Sequence, residues 1–261
     1  MNYTLFAQTD SGLVRTNNED SVAFDDTFQV AVLADGMGGY NAGEVASGMA
    51  TTFIKSELVR WMGIDSQQID ASHVSRFIEI CVGKTNRSIL NAAKSNPQYA
   101  GMGTTLVVGV FLPSSLVLGH VGDSRCYRFR RGALVQITKD HSMLQEQVDA
   151  GVLTQAQAAV APGKNLLTRA LGVEESVRVE IHEHMVMGGD LYMMCSDGLT
   201  DMLDTRAIAE ILASATSLPT IAAELVDRAK HNGGRDNITV LLAQAAEDAT
   251  KTGLMSRLFG A

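Results

Sequence analysis

Cysteine is scarce in this chain. Only 3 occur in 261 residues, Cys81, Cys126 and Cys195, an odd and scattered set without a C-x-x-C pair. That argues against a disulfide framework and a cysteine zinc site, and it fits a reducing cytoplasm. Net positive charge is missing too: 21 Lys and Arg against 29 Asp and Glu give a formal charge of -8. A general nucleic-acid or anionic-membrane surface is therefore not expected. No apolar run is long enough to span a bilayer. The opening Met1-Asn2-Tyr3-Thr4 lacks a basic stretch followed by an apolar one, so no signal peptide is expected. Repeats, low-complexity tracts and linkers are also absent. What the chain does have is a 46% hydrophobic composition, enough for a sizeable core.

Hydrophobic patterning predicts one α+β domain over residues 1–245 and a polar tail over 246–261, expected to be loosely held. Residues 3–8 and 28–34 read as strands. Residues 42–62 and 72–94 read as helices, the second with Val74, Phe77, Ile78, Cys81, Ile89 and Ala92 recurring at three and four. Short strands at 104–111, 115–122, 125–130 and 133–138 with tight turns predict an antiparallel meander. Residues 140–172 break the pattern and read as a surface excursion. Strands return at 177–184 and 190–196, helices at 205–215 and 218–231, and a last strand at 237–244.

Two apolar runs stop at the same dipeptide. Val30 to Ala34 ends in Asp35-Gly36, and Leu191 to Ser196 ends in Asp197-Gly198. A third acid, Asp236, precedes the run from Ile238 to Ala243. Three carboxylates at the ends of strand-like segments suit hard divalent cations, which want oxygen ligands. Two such cations carry four positive charges, which three carboxylates and one bridging hydroxide cancel. Paired metals about 3.5–4 Å apart activate water and steady an in-line displacement at phosphorus. Gly36, having no side chain, lets its backbone approach an ion and offer a carbonyl. Arg15 could clamp a phosphate with its guanidinium fork. Glu19 and Asp20 could orient metal-bound waters.

With these residues the chain resembles the metal-dependent PP2C-type (PPM) protein serine/threonine phosphatases in their compact bacterial form. The resemblance rests on an ordered set: Arg15-Thr16-Asn17-Asn18-Glu19-Asp20, Ala34-Asp35-Gly36-Met37-Gly38-Gly39, Gly101-Met102-Gly103-Thr104-Thr105, Gly119 to Arg125, Asp140-His141-Ser142, Cys195 to Leu199, and Gly233 to Asn237. It implies a four-layer α-β-β-α sandwich, two antiparallel sheets flanked by helices. It further implies two tight Mn²⁺ or Mg²⁺ ions, with Asp35 bridging them, Gly36 a carbonyl ligand, and Asp197 and Asp236 ligands of one metal. Arg15 becomes the phosphate clamp, Asp123 with Asp197 the holder of a third, looser ion, and 140–172 the flap. The implied reaction is hydrolysis of phosphoserine and phosphothreonine by a metal-bridging hydroxide. The implied setting is cytoplasmic signalling, by a monomer opposing a cognate serine/threonine kinase. Animal members carry His two residues after the bridging Asp; here Met37 cannot protonate a leaving group, so a metal-bound water is the expected donor.

Simpler readings compete. Asp-Gly alone is a common hairpin turn, as Gly122-Asp123 could be, and Glu19 and Asp20 could be plain surface acids. Cys81 to Arg87 fits the C-x5-R spacing of cysteine-dependent phosphatases, but it lies in a helical pattern whose N–H groups are already bonded. Zinc on His182 and His184 is not expected, and His141 receives no role from sequence. A phosphoprotein-binding pseudophosphatase and a small-molecule or stress-response phosphatase are the rival functions.

Overall fold

A computed structural model describes residues 1–39, 42–64, 69–161, 163, 166–214 and 217–247. The tail beyond residue 247 lies outside the described residues. The first sheet has the order β1 (Tyr3–Asp10), β11 (Ile238–Ala245), β10 (Leu191–Cys195), β7 (Arg125–Arg130), β8 (Ala133–Gln136). The second has β2 (Asp20–Asp25), β3 (Val30–Met37), β5 (Leu106–Phe111), β6 (Ser115–Val121), β9 (Glu180–Met185), with β4 (Gly103–Thr104) pairing β3. Every pairing is antiparallel.

Three apolar layers separate four layers of structure. Ala31, Leu33, Val107 and Leu118 meet Tyr192, Met194, Leu241 and Ala243 between the sheets. On the outer face of the second sheet lie α1 (Ala42–Ile64) and α2 (Ala71–Ser95), which bury Ile54, Leu58, Ile78 and Ile89. On the outer face of the first sheet lie α5 (Asp197–Thr200), α6 (Thr205–Ser214) and α7 (Leu218–His231), which bury Leu199, Ile211 and Leu225. The predicted α-β-β-α sandwich is thus the observed one. Strands β5 and β6 are buried along their whole length because helices cover one face and the other sheet covers the other.

Helix α2 starts where Asp70 accepts hydrogen bonds from the N–H groups of Ser72 and His73. Cys81 lies in its interior and is buried, so the C-x5-R segment forms no phosphate loop. Helix α1 presents small residues, Ala42, Gly43, Ala46, Ser47 and Ala50, to β3. The approach is close: a Cβ on Gly36 would lie 2.1 Å from the Gly43 carbonyl oxygen.

The structure corrects three expectations. Strand β2 has no counterpart in the predicted elements. β3 does not stop at Asp35-Gly36 but runs on to Met37, because Gly36 and Met37 pair with β4. The meander is divided: β5 and β6 belong to the second sheet, β7 and β8 to the first. Gly122-Asp123 is therefore a crossing between sheets, with Gly122 at φ +99°, not a hairpin turn.

The chain passes between the sheets four times: β1 to β2, β6 to β7, β8 to β9 and β9 to β10. The first three passes lie at one end. They hold Arg15, Asp123 and the excursion containing α3 (Met143–Asp149) and α4 (Gln155–Val160).

Candidate metal centre

The acids gather at this end. Asp20 and Asp35 are direct cross-strand partners on β2 and β3. Asp197 opens α5 just beyond β10, Asp236 precedes β11, and Asp123 occupies the crossing. The charge of Asp35 is felt together with those of Asp20, Asp197, Asp123 and Asp236. The two sheets thus supply one cluster.

Short polar bonds fix its members. The Asp35 N–H donates to Thr105 Oγ1 at 2.9 Å, and the Asp35 carbonyl accepts from Thr105 N at 2.9 Å and Thr104 Oγ1 at 2.8 Å. Thr105 Oγ1 lies 2.7 Å from Ser124 Oγ, which ties β3 to the residue after Asp123. Ser196 Oγ donates to Asp20 Oδ2 at 2.7 Å and accepts from Thr239 N at 3.0 Å, bridging the sheets. Asn237 holds the Arg15 loop, donating from Nδ2 to the carbonyls of Ser11 and Asn17 and accepting from Glu19 N at 2.8 Å. Sequence alone assigns no role to Thr104, Thr105, Ser196, Asn237 or Thr239. Their adjacency to the acidic motifs is the signal that could have found them.

The remaining predicted residues are placed as follows. The Gly36 N–H donates to the Glu19 carbonyl at 3.1 Å. A Cβ on Gly43 would lie 2.9 Å from both Gly36 O and Glu19 Cδ, so the Gly36 carbonyl and the Glu19 carboxyl face the same narrow space. Arg15 does not stand apart from the acids: its Nη2 is 2.8 Å from Asp236 Oδ2. Met37 lines a groove shared with Arg169 and Arg178 and packs its methyl against Gly103. Asp123 and Asp197 line a cleft of about 450 Å³ with Arg125, Asp140, Ser142 and Asp201. Arg125 forks onto Asp140, with its Nη2 2.6 Å from Oδ2, and so holds the first foot of the excursion against the cleft.

Burial first, and mutual repulsion second, push these carboxyls away from ionisation. Asp20 rises to about 6, although the Ser196 hydroxyl bond opposes the rise. Asp123 rises to about 6, with Asp140 the main repelling charge. Asp197 rises to about 8, with Asp123 its main repelling charge. Asp35, fully enclosed, lies well above the usual range. Asp20 Oδ1 is buried with no hydrogen-bond partner. A cluster whose buried carboxyls are pushed toward the neutral form, that holds an orphaned carboxylate oxygen and is all oxygen in its donors fits hard divalent cations.

The chain matches the protein phosphatase 2C family over residues 14–242. It belongs to that family. It is a protein serine/threonine phosphatase, a phosphoric monoester hydrolase. A serine/threonine phosphatase of Listeria monocytogenes is 36% identical over 249 residues, covering 94% of this chain and 96% of that protein. The crystal structure of the Mycobacterium tuberculosis serine/threonine phosphatase PstP superposes with a TM-score of 0.85 at 36% identity, covering 95% of this chain and 100% of that one. A PstP catalytic domain in complex with two manganese ions gives a TM-score of 0.81 at 35% identity, covering 94% and 99%. Within this protein phosphatase 2C chain, one further group of side chains with metal-binding chemistry, His120, His141 and Glu180, comes together among the described residues.

Proposed function

We propose that the acid cluster is the catalytic metal centre. Asp35 would serve both tight ions, Gly36 would offer its carbonyl, and Asp197 and Asp236 would hold one ion. Asp123 would share a third, weaker ion with Asp197, and Asp20 and Glu19 would orient ordered water. The observation that carries this reading is the convergence on Asp35 of carboxylates from both sheets, at the mouth of an open cleft. When bound, the cations supply an activated water and stabilise the charge that develops on phosphorus.

The chain's own residues do the rest. Arg15 sits at the rim, where its fork can meet two phosphate oxygens while Asp236 orients it. Met37 has no proton to give, so the leaving oxygen must take its proton from water. The rival reading as a pseudophosphatase has no support in the site, since no carboxylate of the cluster is missing. The proposal places the enzyme in cytoplasmic signalling, as a monomer opposing a serine/threonine kinase on phosphoprotein substrates. The buried, unpaired Cys81, Cys126 and Cys195 suit a reducing compartment. No helix among the described residues is long and apolar enough to cross a membrane.

The test is turnover of p-nitrophenyl phosphate and of a phosphothreonine peptide. Both should vanish in EDTA and return with Mn²⁺, with no covalent phosphoenzyme; full activity in EDTA would sink the reading. Arg15→Ala should raise KM about tenfold or more, as loss of a bidentate charged contact requires, while two tight Mn²⁺ ions remain bound. Arg15→Lys should recover only part, because a point charge replaces a fork. Loss of the tight ions in Arg15→Ala would make the Asp236 contact structural instead. Asp123→Ala should keep its fold and two ions yet lose about 10²-fold on the phosphopeptide, the scale of general-acid assistance. The loss should be much smaller on p-nitrophenyl phosphate, whose leaving group is stable as an anion. Equal losses on both substrates would remove Asp123 from leaving-group protonation.

A further inference from the structure

His120, His141 and Glu180 bring three ligand atoms within 4.8 Å of one another, and the two rings stack with centroids 4.8 Å apart. Such a group invites a metal assignment, but its hydrogen bonds exclude one at His141. The Gly122 N–H donates to His141 Nδ1 at 3.1 Å, so that nitrogen holds a lone pair. The ring proton must then sit on Nε2, which lies 3.2 Å from Glu180 Oε2. Arg169 Nη1, 3.3 Å from the same Nε2, is a donor and cannot take that proton; the Glu180 carboxylate can. An N–H aimed at a carboxylate is not available to a cation. The arrangement is that of a carboxylate fixing a tautomer so that the opposite ring nitrogen can accept a bond.

What that nitrogen accepts from matters. The His141 backbone N–H donates to the Gly122 carbonyl at 2.9 Å, while its ring accepts from the Gly122 N–H. One buried residue thus grips both polar groups of the residue immediately before Asp123. His141 also accepts, through its carbonyl, the Thr168 N–H at 2.9 Å, and Met143 N donates to the Leu166 carbonyl at 2.9 Å. Both feet of the excursion and the Asp123 crossing therefore meet around one residue, 5% exposed, with its backbone bonded to Gly122 and Thr168 and its ring bonded to Gly122 and close to Arg169.

We propose that His141, held in one tautomer by Glu180, is a positioning residue that sets Asp123 for the third ion and couples that ion to the flap. The inference rests on the Asp123 reading above. Two substitutions divide the ring's duties. Asn places an amide oxygen near the Nδ1 position and can still accept from Gly122; Gln places an amide nitrogen near Nε2 and can still donate to Glu180, but it leaves the Gly122 N–H without its acceptor. Removing Glu180, at the half-exposed start of β9, frees the ring to change tautomer without touching the core.

The experiment counts bound Mn²⁺ by the loss of the free-ion electron paramagnetic resonance signal across a metal titration. It uses the full chain and the variants Asp123→Asn, His141→Asn, His141→Gln and Glu180→Ala, with melting temperatures alongside. Loss of an outer contact typically weakens a metal site about 10–100-fold. His141→Gln and Glu180→Ala should weaken the third ion by about tenfold or more and leave the two tight ions unchanged. His141→Asn should stay within about twofold of the parent chain. Phosphopeptide turnover should fall with third-ion affinity, and p-nitrophenyl phosphate turnover should fall less. A uniform drop in melting temperature with unchanged third-ion binding would overturn the positioning role. If His141→Gln does not fold, unchanged third-ion binding in Glu180→Ala overturns it equally. If Asp123→Asn itself binds the third ion as the parent does, both the Asp123 reading and this inference fall. If Asp123→Asn loses the ion while Glu180→Ala and His141→Gln keep it, only this inference falls.

Discussion

Asp35→Asn is expected to lower p-nitrophenyl phosphate turnover by about 10³-fold or more in Mn²⁺ that saturates the parent enzyme. Phosphate monoesters are among the slowest substrates to hydrolyse in water. No motif positions a nucleophilic side chain here, and burial pushes all three thiols well above the ordinary thiol pKa. The work falls to the cations, and metal stabilisation of developing charge is worth several kcal/mol, about 4 of which correspond to that factor. Asp35 is the acid on which the others converge, so a neutral amide there should weaken both tight sites. Ligand at 100 times its Kd adds about 2.7 kcal/mol to the folded state, or about 5–10 °C for a chain of this size. The parent should show that rise in melting temperature with Mn²⁺ and Asp35→Asn should lose most of it. Without metal the variant should melt higher than the parent, because the amide, unlike the buried carboxyl, has no proton to take up on folding. An unchanged metal-induced rise would place the ions elsewhere.

The second large effect is on the metal-free protein as pH changes. In the unfolded chain these aspartates titrate near 3.8; folded, Asp20 and Asp123 titrate near 6 and Asp197 near 8. Between about pH 4 and 8 the folded state therefore holds protons that the unfolded state has already lost. Stability then falls as pH rises across that window and is fully present only below the unfolded value. EDTA-treated protein should melt several degrees lower at pH 8 than at pH 5.5. Saturating Mn²⁺ should flatten or reverse the slope, because bound cations keep the carboxylates ionised in the folded state. Differential scanning calorimetry at both pH values, with and without Mn²⁺, decides it. A metal-free melting temperature that climbs with pH would mean the carboxyls are not crowded as described.

Much of this was legible because the informative residues sit beside long apolar runs. Val30 to Ala34 and Leu191 to Cys195 are central strands, and the acids that follow them stand out. Strand β2 was not legible: Asp20-Ser21-Val22-Ala23-Phe24-Asp25 is short, has an acid at each end, and lies at a sheet edge where most side chains are only partly buried. The division of the meander was hidden for another reason. Gly122-Asp123 joins two strand-like runs whichever sheet each joins, and local sequence does not distinguish a hairpin from a crossing. The supporting shell was hidden as well. Ser196, Thr239 and Asn237 act through bonds to residues far along the chain, with Ser196 176 residues from Asp20 and Asn237 220 from Asn17. His141 was visible only as a motif member. Its double hold on Gly122 depends on a fold that brings together residues 19 apart.

Three of the four passes between sheets lie at the end where the acids gather, while the far end has only the pass through residues 186–190, beside the Arg130–Asp190 ion pair. Loops tolerate change in length and composition far better than paired strands do. In this architecture Asp20 and Asp35 stand on paired strands and the Arg15 loop is pinned by Asn237, whereas the excursion after Asp140 leaves and rejoins the acid end as a loop-rich segment of its own. That excursion can therefore diverge, and new phosphoproteins can be recognised, with no strand changing register. Lineages of such a chain should differ most in whom they act on and least in how they act.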